Sequence, residues 1–303
     1  MITCSRKLKE YLRINIHKIR FPKDKGRHQW TFIQDSENHI CSFCFKQIDG
    51  IFSGLICEIC GISAHAMCSR SHSVKCKKVH SQHLQEDNGH QWIHTLLPLE
   101  SICSYCKTYC VDYYNSRGFQ CLWCQRIAHK VCKEGKENKC DYGVFKNLII
   151  RPSFITYTAG NRIKELKNKV GNLFKIKKKI RRSNSSILTE TWAFKVPENL
   201  IPVIVCVNRK SGGQIGSRIL SLFYKNLNPV QVIDLINEGL EPLDKFIFGL
   251  KKYVILVAGG DGSVASVCTY LYDKISAFSG LYVPPIAILP LGVGNDLSIV
   301  LGW

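Results

Sequence analysis

A string of cysteine and histidine residues occurs twice in the first half of the chain, and this repeat constrains the fold more than any other feature. The first copy runs from His28 to Cys76 and the second from His90 to Cys140. In each copy a histidine is followed by two Cys-x2-Cys pairs, a His-x2-Cys pair and a final cysteine. Segments of about 50 residues bury too little apolar surface to be stable unaided, so each copy is expected to contain an added constraint.

Bound zinc is the constraint that this residue pattern favours. Each copy supplies six cysteines and two histidines, the number required by two tetrahedral Cys3His sites. A secreted disulfide scaffold is the alternative for a cysteine-rich chain, but the histidine spacing favours metal. With four protein ligands no position remains for water, so the predicted ions are structural and contribute folding free energy.

Composition narrows the class of protein. The 303 residues suggest about two domains, and 45% apolar content excludes wholesale disorder. Apolar runs are strand-sized rather than bilayer-sized, and the charged start, residues 1–7, does not resemble a secretory signal. A net charge of +19 favours anionic partners, which could be nucleic acid, acidic lipid head groups or nucleotide phosphates.

The chain divides by composition into five segments. These are a basic amino-terminal segment (1–27), two zinc modules (28–76 and 90–140), an extension with a polybasic linker (141–200), and a final α/β domain (201–303).

The final domain alternates apolar strands with amphipathic helices. Strands are predicted at 202–207, 230–233, 253–258 and 286–289, and helices at 215–223, 241–250 and 264–274. The strands are almost wholly apolar, which is typical of a parallel sheet covered on both faces. The pattern therefore predicts a doubly wound α/β fold.

Three glycine-rich loops follow predicted strands, at 208–213, 259–263 and 290–296. Glycines let the backbone approach phosphate oxygens, and amides at the start of a helix point at them. A single such loop could be a plain tight turn, and none has Walker or dinucleotide-binding spacing. All three lie after strand carboxyl ends, where open α/β sheets bind ligands, so together they predict a nucleotide cleft.

The zinc modules resemble the phorbol-ester/diacylglycerol-type zinc fingers of protein kinase C and its relatives. The resemblance implies interleaved ligand sets: His28, Cys57, Cys60 and Cys76; Cys41, Cys44, His65 and Cys68; His90, Cys121, Cys124 and Cys140; and Cys103, Cys106, His129 and Cys132. Cys4, Cys110, Cys206 and Cys268 remain as ordinary thiols, the last two expected to be buried.

Diacylglycerol binding by these modules is an open expectation. Family members that bind it carry a proline before the first cysteine pair and a glutamine before the groove glycine. Here Asn38 and Glu100 occupy the first position, and Ser53 and Arg117 the second. These departures weaken the groove, and protein contact or packing is the alternative role.

The loop motifs resemble the catalytic domain of the diacylglycerol kinase family, and the chain looks closest to the epsilon isoform. Asn-x-x-Ser-Gly-Gly, Gly-Gly-Asp-Gly-Ser and Pro-Leu-Gly-x-Gly-Asn-Asp-Leu occur in the family's order, and residues 145–150 match the extension after the last zinc finger. The resemblance implies a phosphofructokinase-like lobe that binds ATP and Mg2+ and phosphorylates diacylglycerol to phosphatidic acid. The implied nucleotide-site residues are Asn208, Ser211, Gly259, Gly260, Asp261, Gly262, Ser263, Gly292, Gly294 and Asn295, with Gly260 and Asp261 closest to catalysis.

Three residues depart from the family motifs. Ser263 replaces threonine and keeps its hydroxyl, Val293 replaces a threonine and loses one, and Arg209 replaces a proline, which makes that turn less rigid. Asp261 could alternatively act only as a cap of the following helix. The family's catalytic lobe extends further, so we expect a truncated form without independent kinase activity.

The lysine- and arginine-rich segment 161–182 mixes cationic and apolar residues. It could lie on anionic lipid, or be a solvated linker or a nuclear-import patch. We therefore expect a cytoplasmic, peripherally membrane-associated protein. A lipid kinase and a non-catalytic docking adaptor are the rival functions, whereas nucleic-acid binding is not expected because finger spacings such as His-x3-5-His are absent.

Overall fold

A computed structural model describes residues 26–33, 39–49, 54–71, 74–80, 89–110, 117–134, 139–159, 174–176, 190–213, 215–293 and 295–302. The chain forms two compact units. One comprises residues 1–78 and 89–143, and the other comprises residues 79–88 and 144–303. We call them the zinc unit and the α/β unit.

The zinc unit contains two small antiparallel sheets, one from each copy of the repeat. In the first, β1 (Trp30–Phe32) pairs with β2 (Gly54–Cys57), which pairs with β3 (Ser63–His65). In the second, β4 (Trp92–Leu96), β5 (Arg117–Cys121) and β6 (Ile127–Ala128) pair in the same order. One short helix follows each sheet, α1 (Cys68–Ser71) and α2 (Lys130–Glu134). Each copy is thus a separate small α+β module.

The α/β unit is built on a parallel four-stranded sheet. Its strands are β10 (Val203–Val207), β11 (Val232–Asp234), β12 (Val254–Gly259) and β13 (Ile286–Pro290), in the spatial order β11-β10-β12-β13. Most of β10 is buried, as expected for an apolar strand covered on both faces. The direction of winding reverses between β10 and β12, so this junction is the topological switch point of a doubly wound sheet.

The described residues of the same unit include the helices α3 (Ile215–Asn226), α4 (Asp244–Gly249), α5 (Asp261–Ala277) and α6 (Asp296–Val300). Helix α3 buries Gly216, Leu220 and Tyr224, which recur every four residues on one face. Asp244 of α4 accepts hydrogen bonds from Tyr270 and Lys274 of α5, at 2.7 and 3.0 Å. The helices are therefore joined by polar contacts as well as by apolar packing.

Two buried amides fasten residues 148–150 to the sheet. The Asn228 amide donates to the carbonyls of Val79 and Ile150, at 2.9 Å each. The Gln231 amide donates to the carbonyls of Leu148 and Val203, and its oxygen accepts from the Ile150 amide. Both side chains have no exposed surface, so these bonds satisfy backbone groups that water cannot reach.

An antiparallel sheet lies in the region that the sequence assigned to the extension and linker. Strand β9 (Glu190–Phe194) is central between β7 (Ile155–Ala159) and β8 (Phe174–Ile176). The rest of the polybasic segment 161–182 lies outside the described residues. No helix in the described ranges is long and apolar enough to span a bilayer.

The predicted α/β fold and the zinc-stabilised modules are confirmed, with local differences in element type. The predicted strand 230–233 begins as a 3-10 turn over Pro229–Gln231 and becomes extended only at Val232. The predicted helix 241–250 begins with a 3-10 turn over Glu241–Leu243 before α4. In both cases a proline lies in the first turn, where its fixed φ suits a tight turn.

Candidate functional site: zinc clusters and the loops at the sheet switch point

The sixteen predicted zinc ligands form four clusters of four residues, with the interleaved membership that the family resemblance implied. In each cluster the ligand atoms lie within 4.8 Å of one another. Cys57 and Cys76 sulfurs are 3.8 Å apart, and the Cys60 sulfur is 3.4 Å from Nδ1 of His28. A zinc tetrahedron with Zn–S bonds of about 2.3 Å has edges of about 3.8 Å, so the donor set fits zinc.

Histidine orientation supports the same assignment. Nε2 of His28, His65 and His129 lies 3.0, 3.0 and 2.9 Å from the carbonyl oxygens of Val74, Gln47 and Tyr109. In each ring Nδ1 faces the cysteine sulfurs. A backbone carbonyl that holds the outer ring nitrogen fixes the tautomer and leaves the inner nitrogen to bind metal.

One cysteine in each of two clusters has a lowered pKa, whereas burial and neighbouring thiols raise the pKa of their cluster partners Cys68 and Cys132 to about 11. Burial raises the pKa of Cys41, but backbone hydrogen bonds from Cys44, His65 and Phe43 lower it by more, so that the pKa is about 6. The corresponding Cys103 behaves alike, since burial is outweighed by backbone bonds from Cys106, His129 and Tyr105, and its pKa is about 6. Thiols that ionise near neutral pH are ready to bind zinc.

The two zinc modules contact each other inside the zinc unit. The Phe45 ring lies 4.9 Å from His94 of the second module, and the Arg117 guanidinium lies 4.2 Å from Phe45. Lys77 Nζ lies 4.6 Å from the ring of Trp123. Burial and the charge of Arg117 lower the pKa of His94, which favours the neutral ring in this contact.

The two glycines at the groove position that the family resemblance implies lie close to side chains of their own modules. A Cβ on Gly118 would lie 2.4 Å from Cδ1 of Leu97, and one on Gly54 would lie 2.4 Å from Cγ2 of Ile48. Arg117, which stands at the glutamine position, contacts Phe45 of the other module. Asn38 and Ser53 lie outside the described residues.

In the α/β unit the three glycine-rich loops meet at the carboxyl ends of their strands. The loop after β10 approaches the loop after β13, since a Cβ on Gly212 would lie 2.7 Å from the Leu291 carbonyl oxygen. The loops after β12 and β13 approach each other equally closely. A Cβ on Gly292 would lie 2.7 Å from the Gly260 Cα, so a side chain at position 292 would force these two loops apart.

Side-chain hydrogen bonds join the same loops. The Asn208 amide donates to the Ser263 hydroxyl at 3.0 Å, which links the loops after β10 and β12. The Asp296 backbone amide donates to the Asp261 carboxylate at 2.9 Å, which links α5 to α6. Gly260 is the N-cap of α5, so the amides of Asp261 and Gly262 lie in its first turn, where no helical acceptor exists.

The three loops that carry the predicted nucleotide residues thus lie together at one edge of the sheet; of those residues, Gly294 lies outside the described ones. Within the third loop Gly292 and Asn295 bond to each other: the Gly292 amide donates to the Asn295 side chain, which donates back to the Gly292 carbonyl. Val293, which replaces a threonine, is fully exposed.

The leftover cysteines were predicted partly wrongly. Cys206 is buried in β10 as expected, but Cys268 is exposed on α5, because the buried face of that helix carries Val264, Val267 and Leu271. Cys110 is buried beside the second module's cluster, and Cys4 lies outside the described residues.

One residue of this edge was missed from the sequence. Asp234 ends β11, is 3% exposed, and its carboxylate lies 3.1 Å from Nη1 of Arg209 in the first loop. A lone acidic residue at the end of an apolar strand, about 20 residues after a glycine-rich loop, is the signal that could have revealed it.

Comparisons with known proteins agree with this architecture. Residues 202–303 match the diacylglycerol kinase catalytic domain, and residues 90–143 match the phorbol esters/diacylglycerol binding domain, or C1 domain. No solved structure matches the chain.

Curated relatives align along almost the whole chain. The chain is 30% identical to mouse diacylglycerol kinase eta over 92% of its length, and 29% identical to mouse diacylglycerol kinase delta. Diacylglycerol kinase eta of Drosophila melanogaster is 29% identical, again over 92% of this chain. The chain spans only 21% of each mouse relative and 14% of the fly relative. None of the three is an epsilon isoform, so that finer likeness stays a prediction.

The zinc clusters, the parallel sheet and the order of the matched domains lead to one conclusion. In this chain a module similar to the C1 domain, within residues 90–143, precedes a domain similar to the diacylglycerol kinase catalytic domain, at residues 202–303.

Proposed function

We propose that the α/β unit binds Mg·ATP for transfer of the γ-phosphoryl group to the hydroxyl of diacylglycerol, giving phosphatidic acid and ADP. The observation that carries the proposal is the meeting of three glycine-rich loops at the carboxyl edge of the sheet. Asn208 bonds to Ser263 across the switch point, and Gly260 and Gly292 approach within the space of a Cβ beside it. A side chain at position 292 would push the second and third loops apart and so disturb the arrangement that is proposed to receive phosphate.

In the proposed reaction the lipid hydroxyl oxygen attacks the γ-phosphorus, the bond from phosphorus to the bridging oxygen of ADP breaks, and the hydroxyl proton passes to a base or to solvent. Amides of Gly260 and Gly262 and the Ser263 hydroxyl would hold phosphate oxygens. Asn208 and Ser211 would contact the nucleotide from the first loop, and Gly292, Gly294 and Asn295 from the third. Mg2+ would supply neutralisation of the phosphate charge.

Asp261 would have two roles in this site. Its carboxylate accepts from the Asp296 amide at 2.9 Å, which holds the second and third loops in register. Its negative charge at the phosphate loop would also favour Mg2+, either directly or through water. The helix-capping alternative is compatible with both roles.

We propose further that the zinc modules bring the chain to membranes where diacylglycerol resides, as a peripheral protein on the cytoplasmic side. Their zinc ions are structural. A non-catalytic docking adaptor is the second candidate function, and the observation that favours it is the use of Arg117 in contact between modules. In that case the modules would bind membrane or protein while the α/β unit binds no nucleotide.

A titration of Mg·ATP into the full chain tests nucleotide binding. Asp261→Ala should weaken binding at least tenfold, because the loops lose their link and the site loses a carboxylate. Asp273→Ala is the matched control, since Asp273 is an exposed aspartate on the same helix. Equal affinity of both variants and the unaltered chain would contradict the assigned role of Asp261.

Vesicle binding separates the two candidate functions. The chain is mixed with phosphatidylserine vesicles with and without diacylglycerol, and radiolabelled ATP reports phosphatidic acid. Vesicle association without any Mg·ATP affinity would favour the adaptor over the kinase. Binding that increases with diacylglycerol would show that a zinc module takes this lipid despite its altered groove.

A further inference from the structure

We propose that the ion pair between Arg209 and Asp234 positions the first loop of the nucleotide site, which makes Asp234 a positioning residue. The inference rests on the proposed function, because it concerns how that site is held ready for Mg·ATP. Arg209 replaces the proline that the family resemblance implied after Asn208. The sequence therefore predicted a less rigid turn at this point, and the ion pair supplies a different restraint.

Donors other than Arg209 also hold the Asp234 carboxylate in place. Its Oδ1 accepts from the backbone amides of Ile236 and Asn237, at 3.1 and 3.2 Å. Its Oδ2 accepts from the Asn237 side-chain amide and from Arg209 Nη1. The Asp234 side chain is only 4% exposed, so the charge is shielded from water and its orientation is set by these four donors.

Arg209 is held at both ends of the residue. Its guanidinium is 3.1 Å from Asp234 and its side chain is 23% exposed, whereas its backbone carbonyl accepts from the Ser217 hydroxyl at 3.2 Å. Helix α3 also approaches closely here, since a Cβ on Gly216 would lie 2.3 Å from the Asn208 carbonyl oxygen. The first loop is thus clamped between β11 on one side and α3 on the other.

In the sequence, Arg209 lies between Asn208 and Ser211, the two residues of the first loop that are predicted to contact the nucleotide. Asn208 donates its side-chain amide to Ser263, and its side-chain oxygen accepts from the Lys210 backbone amide at 3.1 Å. A proline would restrain this turn by fixing φ at about −65°. Here a partly buried ion pair restrains the turn through the Arg209 side chain. Partly buried pairs are screened less by water and salt than exposed ones.

The binding experiment compares matched ion pairs of the same unit. Arg209→Ala in the full chain should weaken Mg·ATP binding about tenfold, and Arg209→Lys should restore affinity to within about threefold because a lysine can still reach the carboxylate. Lys251→Ala is the control. Its partner Glu198 lies at the same N–O distance of 3.1 Å, but that pair is 84% and 86% exposed.

A double-mutant cycle separates positioning from general destabilisation. Asp234→Asn alone should weaken binding as much as Arg209→Ala, and the combined variant should lose no more than either single one, because both changes remove one restraint. Additive losses, full affinity of Arg209→Ala, or failure of lysine to rescue would each overturn the proposal.

Hydrogen exchange of residues 208–213, measured without nucleotide, keeps the test independent of binding. Arg209→Ala should raise the exchange rate of these amides at least tenfold while leaving β12 protected. If the unaltered chain fails to bind Mg·ATP, the proposed function is wrong, and the exchange result alone decides whether the ion pair orders the loop. Unchanged exchange would refute the positioning role in either case.

Discussion

The contact between Gly260 and Gly292 sets the closest approach of the second and third glycine-rich loops. A Cβ on Gly292 would lie 2.7 Å from the Gly260 Cα, a separation that side chains do not tolerate, and the obstacle is backbone that cannot rotate away. Gly262 differs, since a Cβ there would meet nothing within 4 Å. Packing therefore requires glycine at position 292 but not at position 262, although both positions lie at the same edge of the sheet.

Gly292→Ala should therefore lower the free energy of unfolding of the α/β unit by about 1–3 kcal/mol, the range for overpacked sites. Gly262→Ala should leave it unchanged or raise it by up to about 1 kcal/mol, because alanine is the better helix former. Denaturant unfolding followed by far-UV circular dichroism measures both. A Gly292→Ala variant as stable as the unaltered chain would show that the loops separate at no cost.

Asn228 illustrates a buried polar residue whose removal should be costly. Its side chain bonds the Val79 and Ile150 carbonyls and accepts from the Val230 amide, all in the interior. Asn228→Ala leaves these three groups without that partner, so we expect a loss of about 2–4 kcal/mol. Asn226→Ala is the control, because Asn226 is half-buried and its side chain donates a local hydrogen bond to the Leu222 carbonyl. Equal effects of the two changes on the unfolding midpoint would contradict this account.

The strands and helices show what a sequence can and cannot reveal. Apolar runs predicted β10, β12 and β13 within one or two residues, because burial on both faces leaves a strong pattern. Spacing in the sequence singled out the cysteines and histidines of the four clusters, and the family resemblance implied how they are grouped. Strand β8 was not predicted, because its three residues lie among lysines and acquire their partner only through pairing with β9.

Long-range partners were likewise invisible from sequence. The Arg209–Asp234 pair joins residues 25 positions apart, and Gln231 reaches Ile150 across 81 positions. The motif strings indicated the three glycine-rich loops, but the hydrogen bonds that hold these loops together depend on strand order. Strand order follows from the crossovers rather than from any local pattern.

The contact between the two zinc modules also joins residues that are distant in the sequence. Phe45 of the first module contacts His94 on β4 and Arg117 on β5 of the second module. Phe45→Ala removes a ring contact and a cation–π contact, and together these should contribute about 1–2 kcal/mol. We expect the zinc-loaded unit to melt in two transitions instead of one. Tyr109→Ala, which removes a 64% exposed ring, should leave a single transition. Calorimetry distinguishes these outcomes, and one unchanged transition for Phe45→Ala would mean that the modules are coupled elsewhere.

The two units depend on different sources of stability. In the described part of the zinc unit the apolar clusters around Cys41 and Cys103 are small and include these predicted metal ligands, so its folded state should require zinc. The α/β unit has a large core without metal ligands that includes Ile204, Phe246, Ile255 and Val267. Removal of metal should therefore affect one unit far more than the other.

Native mass spectrometry of the intact chain should detect four zinc ions, one for each cluster. After stripping with a strong chelator, hydrogen exchange should become fast in β1 to β6 and stay slow in β10 and β12, because hydrophobic burial alone protects the latter. Mg·ATP affinity should survive the same treatment, since the three glycine-rich loops contain no predicted zinc ligand. Loss of protection in β10 and β12 upon chelation would show instead that the α/β unit draws its stability from the metal-bound modules, and the assignment of independent cores would have to be abandoned.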